Sequence, residues 1–100
     1  MADQRPLVVY VVDDDASIRD SLALMLGLGG YVTRLFADAE SFLVAFDPAW
    51  TGCVVADLRL PGLSGGELQS RVRALGSAIP FVIITAHGEF HLVLPVEAHG

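Results

Sequence analysis

The sequence predicts an α/β domain, a parallel sheet with helices on both faces. Three observations carry that expectation. Residues 7–12, 53–56 and 81–84 are runs of consecutive apolar residues without the alternation of a half-wet strand, as expected for strands covered on both faces. Stretches with helical apolar spacing stand between the strands. Each run ends at polar residues: Asp13-Asp14-Asp15, Asp57 and Thr85. The order β-α-β-α-β-α-β, with helical crossovers, gives a parallel sheet.

The first strand covers residues 7–12. A helix follows, with Ile18, Leu22, Met25 and Leu26 on one apolar stripe and Arg19, Asp20 and Ser21 on the wet side. Asp15 suits its N-cap, and Gly27, Gly29 and Gly30 end it. Residues 31–36 form the second strand, where Tyr-Val-Thr favours sheet. Asp38 caps a short helix whose stripe is Ala39, Phe42, Leu43 and Phe46, and Asp47-Pro48 stops it. Trp50 anchors the loop that follows. The third strand runs from residue 53 to 57 and turns at Pro61-Gly62. Ser64-Gly65-Gly66-Glu67 has the spacing of a capping box. The helix after it turns Leu68, Val72 and Leu75 inward, and Glu67, Arg71 and Arg73 outward. The fourth strand covers residues 81–85.

Composition narrows the function classes. One hundred residues allow one domain with a modest core, and 53% hydrophobic residues exclude a disordered chain. The longest apolar run is too short to span a bilayer, and the first residues, Met1-Ala2-Asp3-Gln4-Arg5, are no secretory signal. No membrane partner is expected, and the cytoplasm is the expected compartment. The single cysteine, Cys53, excludes an internal disulfide and reads as an inert strand residue. A net charge of -6 argues against direct nucleic-acid binding by this chain. All six basic side chains are arginine, so any mechanism that needs a lysine is closed to the chain alone.

The acids carry the chemistry. If the first and third strands are parallel neighbours, Asp13, Asp14 and Asp57 converge at one sheet edge. The carboxyl ends of strands are where open α/β sheets place their ligands. Such a cluster repels itself, and needs either a cation or a proton on one member.

With Thr85 ending the fourth strand, Pro61 four residues after Asp57 and Gly65 four further on, the sequence resembles the receiver domain of two-component response regulators. The motifs are Val-Val-Asp-Asp-Asp-Ala-Ser-Ile-Arg, Asp-Leu-Arg-Leu-Pro-Gly-Leu-Ser-Gly and Ile-Ile-Thr-Ala-His-Gly, and the likeness covers residues 7–88 of a single domain at 1–100. The last motif resembles the branch that carries a DNA-binding output domain. The resemblance implies a flavodoxin-like three-layer sandwich of strand order 2-1-3-4. It implies that Asp57 is the phosphoacceptor, charged from a phosphohistidine on a sensor histidine kinase. Asp14 and Asp57 would ligate Mg²⁺, with Asp13 acting through water and the Arg59 backbone carbonyl adding a ligand. Thr85 would hydrogen-bond the phosphoryl group, while Arg59 and His87 would tune its hydrolysis.

The chain departs from the family after Gly88. The family's Lys-Pro pair, fifth strand, fifth helix and aromatic switch residue have no recognisable counterpart, which reads as a truncated or altered receiver. Loss of the lysine contact costs roughly 1.5–3 kcal/mol. A fourth strand left as an apolar edge invites self-association as a homodimer. Residues 89–100 form an irregular tail. They allow either a short irregular helix or a hairpin that pairs residues 90–94 back on the fourth strand. The spacing from Gly88 to Gly100 resembles that of the family's helix here, which favours the helix, although Pro95 would damage its interior.

Plainer readings stand beside these. Asp15 is read as a helix cap, Arg71 and Arg73 as a wet helix face, and His99 as a solvated tail residue. His87 and His91 lack the third ligand of a metal site. Two other functions remain open. A degenerate receiver would serve as an unphosphorylated interaction module. A haloacid-dehalogenase-type phosphatase would use Asp13 as nucleophile and Asp15 as acid/base, but Ala16 and the missing lysine speak against it.

Overall fold

The computed structural model describes residues 7–85 and 89–93. The elements are β1 (Val8–Val12), α1 (Ala16–Leu28), β2 (Val32–Phe36), α2 (Ala39–Ala45), β3 (Cys53–Asp57), β4 (Arg59–Leu60), β5 (Leu63–Ser64), α3 (Gly65–Ala74), β6 (Phe81–Ile84) and β7 (Phe90–Val93). The main sheet has the order β2-β1-β3-β6-β7. Its first four members are parallel, in the order the resemblance implies. The pair β4–β5 is a small antiparallel hairpin around Pro61-Gly62.

Strand alternation sorts the core into two faces. Val9, Val11, Val55 and Ile84 lie on the face covered by α1, through Leu22 and Leu26. Tyr10, Val12, Val54, Ala56, Phe81 and Ile83 lie on the other, against Phe42 of α2 and Leu68 and Val72 of α3. Helices on both faces give the three layers. Trp50 closes the second face by stacking on Tyr10 at a ring separation of 4.3 Å, so it is the loop anchor expected.

The expected caps form. Asp15 accepts from the Ser17 and Ile18 amides, and Asp38 accepts from the Ser41 amide. Ser64 and Glu67 exchange the two bonds of a capping box.

The sequence reading fails at the end of the sheet. The tail was expected to favour a helix, but residues Phe90–Val93 form a strand antiparallel to β6, with Ile84 opposite Phe90 and Phe81 opposite Val93. The cause is the row of main-chain groups along β6, which would otherwise face solvent beside apolar side chains. A short connection lets the chain satisfy that row locally, whereas a helix would leave it open. The expectation that the fourth strand is a bare edge is corrected for the same reason: β7 occupies that edge. The tail beyond residue 93 lies outside the described residues.

Smaller corrections concern helix faces. Of the α1 stripe, Leu22 is buried, but Ile18 and Met25 are 39% and 61% exposed. Leu75, expected inward, lies past the end of α3 and is exposed.

Candidate functional site

The carboxyl ends of β1, β3 and β6 meet along one side of the sheet because β3 pairs in parallel with both neighbours. Asp13 directly follows β1, Asp57 ends β3, and Thr85 directly follows β6. A cleft of about 390 Å³ opens there, lined by Asp13, Asp14, Asp15, Ile18, Asp57, Arg59, Ile84 and Thr85. The structure thus brings Asp13, Asp14, Asp57, Arg59 and Thr85 together. His87, the remaining expected site residue, lies outside the described residues.

One oxygen from each of Asp13, Asp14 and Asp57 lies within 4.8 Å of the others. The three acids differ in exposure: Asp13 is buried, Asp57 half-buried and Asp14 exposed. Burial raises the Asp13 carboxyl above its ordinary range, and the charges of Asp57, Asp14 and Asp15 push it the same way. A hydrogen bond of 2.9 Å from the Asp15 amide opposes that rise. The site therefore holds more negative charge than its surroundings neutralise, with only hard oxygen donors facing one another. That is the donor chemistry of Mg²⁺ rather than of a soft metal.

Main-chain bonds fix the frame. The Asp13 amide donates to the Phe36 carbonyl at 3.1 Å, tying the end of β1 to β2. The Arg59 amide donates to the Asp57 carboxylate at 3.0 Å. Gly65 packs on the Asp57 carbonyl so tightly that a Cβ there would lie 2.7 Å from the oxygen. The structure thereby explains the glycine four residues after Pro61: nothing larger passes under Asp57. The Thr85 hydroxyl accepts from the Glu89 amide at 3.3 Å.

Sequence reasoning missed one participant. Helical periodicity places Arg19 on the wet side of α1, yet it is half-buried, and its Nη1 donates to the Asp13 carbonyl at 2.6 Å. Helical side chains lean back toward the N-terminus, so this long one reaches over the preceding turn to the acids. That lean, applied to an arginine one turn into a helix that follows an acidic loop, is the signal that was available.

The response regulator receiver domain model matches residues 9–99. The chain belongs to the response regulator receiver domain family. The receiver is 48% identical over 90 residues to the transcriptional regulatory protein FixJ of Bradyrhizobium diazoefficiens, covering 90% of this chain and 43% of that protein. It is 38% identical over 93 residues to nodulation protein W of the same organism, covering 93% and 41%. Among solved structures it is similar to the response regulator StyR, with a TM-score of 0.78 and 42% identity over 89% of this chain and 45% of that one. FixJ-N gives a TM-score of 0.72 at 40% identity, over 82% and 66%. The receiver spans less than half the length of these curated relatives. Membership sets it with signalling domains rather than with haloacid-dehalogenase-type phosphatases. No helix among its described residues is long and apolar enough to cross a membrane.

Proposed function

We propose that this receiver, a single domain, takes a phosphoryl group onto Asp57 from a phosphohistidine of a sensor histidine kinase, with Mg²⁺ held at the acidic cluster. The observation that carries the reading is the meeting of Asp13, Asp14 and Asp57 within 4.8 Å in the cleft that also holds Thr85.

In the transfer, an Asp57 carboxylate oxygen attacks phosphorus. The phosphorus–nitrogen bond to the histidine breaks as the phosphorus–oxygen bond forms, and the imidazole leaves with its electron pair. Phosphoryl transfer needs little covalent help beyond positioning and charge neutralisation. Mg²⁺ at the site supplies the neutralising charge. Asp14 and Asp57 are its proposed carboxylate ligands, with Asp13 behind them and the Arg59 carbonyl as a further oxygen. The Arg59 amide holds one Asp57 oxygen at 3.0 Å and so orients the nucleophile. The Thr85 hydroxyl accepts from Glu89, which leaves its own proton to donate to a phosphoryl oxygen. Arg59 and His87 are the proposed tuners of hydrolysis. Within residues 1–100 the proposed contacts to the product are Thr85 and the cation.

Thermal melts with Mg²⁺, and with Mg²⁺ plus beryllium fluoride as acyl-phosphate mimic, test this, with Asp57→Asn as control. A midpoint raised by the mimic only in the presence of Asp57 supports the phosphoacceptor. A cooperative melt without response would make the domain an unphosphorylated interaction module.

A further inference from the structure

We infer that Arg19 is a positioning residue of the acidic site: its guanidinium, seated on the Asp13 carbonyl, sets the Asp13–Asp14 peptide so that Asp14 meets the cation together with Asp57, with Asp13 acting through water. The inference rests on the proposed Mg²⁺ site.

The geometry separates Arg19 from an ordinary surface arginine. Its Nη1 lies 2.6 Å from the Asp13 carbonyl oxygen, a short contact of the kind a charged donor makes. The Asp13 amide is held from the other side by Phe36. Both peptide groups flanking the Asp13 α-carbon are therefore fixed, one by the sheet and one by Arg19. Asp14 is exposed, so packing does not hold it, and its direction follows from the main chain that carries it. The helix itself completes the clamp. The Arg19 amide donates to the Asp15 carbonyl at 3.1 Å, while the Asp15 carboxylate caps Ser17 and Ile18. The first turn of α1 thus grips residues 13 and 15 on either side of Asp14.

The choice of acceptor matters as much as the grip. A guanidinium on a carboxylate would occupy the lone pairs a cation needs. On the main-chain carbonyl it leaves the carboxylate oxygens clear of the guanidinium.

Calorimetric Mg²⁺ titration of the whole chain, as wild type, Arg19→Met and Arg19→Lys, provides the test, with metal-free urea midpoints measured in parallel. Loss of a partner that orients metal ligands weakens metal binding by about 10- to 100-fold, and that is the rise in Kd expected for Arg19→Met. Arg19→Lys keeps the charge but not the planar fork, so a rise of severalfold is expected there. A merely structural arginine would lower the metal-free midpoint and leave the Kd of the folded protein at its wild-type value, which overturns the inference. Should Arg19→Met fail to fold, the lysine variant decides: a wild-type Kd overturns the inference, a severalfold rise supports it. A wild-type chain that binds no Mg²⁺ overturns the metal site and this inference with it. Wild-type binding left unchanged in the variants overturns this inference alone.

Discussion

Thr85 and Glu89 bind each other twice between the end of β6 and the beginning of β7. The Thr85 amide donates to the Glu89 carbonyl at 2.9 Å, and the Glu89 amide donates to the Thr85 hydroxyl at 3.3 Å. Thr85 thus lines the acidic cleft while its hydroxyl closes the hairpin. Thr85→Val removes both roles. Loss of the Glu89 bond should cost about 0.5–1 kcal/mol of stability, and the midpoint gain from beryllium fluoride should fall well below wild type. Thr85→Ser should restore both. Melts of the three proteins check this, and a full response in the valine variant would remove Thr85 from the site.

Asp13 should make the metal-free domain less stable as the solution becomes less acidic. Its folded-state carboxyl is raised above the ordinary value of 3.8, first by burial and then by the neighbouring acids. Its contribution is thus fully present below the unfolded-state value and lost as pH rises through the folded one. Asp38 and Glu67 act in the opposite sense: hydrogen bonds with Ser41 and Ser64 hold their carboxyls low, so their contributions are lost as pH falls. The difference between wild type and Asp13→Asn isolates the first effect. Urea midpoints from acidic to neutral pH should show the variant gaining on wild type as pH rises, and a pH-independent difference would sink the argument.

Added Mg²⁺ should stabilise the domain by linkage. At a free concentration a hundredfold above Kd the gain is about 2.7 kcal/mol, and a chelator should reverse it. Asp57→Asn takes one charge from the cluster and should shrink the gain. Equal gains in both proteins would place the metal elsewhere.

Gly65→Ala tests the packing under the proposed phosphoacceptor. A Cβ would lie 2.7 Å from the Asp57 carbonyl oxygen and 3.1 Å from Ile83 Cδ1. Overpacking of this kind costs about 1–3 kcal/mol. The displaced strand end should also weaken the response to beryllium fluoride beyond what the stability loss explains. Gly66→Ala, where the nearest atom is Ser64 Oγ at 3.9 Å, serves as the mild control in paired melts.

Trp50→Ala should be among the costliest single changes away from the acids. The indole stacks on Tyr10 with an interplanar angle of 3°, meets Phe46 edge-on at 5.4 Å, and lies 4.8 Å beneath the Arg34 guanidinium. Truncation of a large packed aromatic costs about 3–5 kcal/mol. A urea series with Trp50→Phe as partial replacement checks it. A loss under about 1 kcal/mol would mean that the loop is held by something else.

The sequence made legible whatever is written locally. Three apolar runs ending in Asp13, Asp57 and Thr85 put the acids at strand ends, and they share one edge once the first and third strands are parallel neighbours. Asp15, Asp38 and Ser64 announced their caps because a cap depends on only a few neighbouring residues. What stayed hidden was set by distance or by reach. Residues 90–94 left helix and hairpin open, and the choice of the hairpin seat on β6 is a fact about the sheet and not about residues 90–93. Arg19 looked solvated because helical periodicity places an α-carbon, and says nothing of where a long side chain ends. Ile18 and Met25 are exposed because an apolar stripe states what a helix can bury, while its neighbours decide what is covered.

The antiparallel seat of β7 makes the outer edge of β6 a contested position. One row of main-chain groups can serve one partner at a time. Any segment that would extend the sheet in parallel beyond β6, from this chain or another, must first evict β7 and break the pairings from Phe81–Val93 to Ile84–Phe90. Such an exchange behaves as competitive binding, with β7 as the resident inhibitor at an effective concentration set by its short turn. Since Thr85 and Glu89 close that turn, a ligand that draws the Thr85 hydroxyl away from Glu89 would favour the challenger. Occupancy of the acidic cleft and strand exchange would then be two readings of one equilibrium.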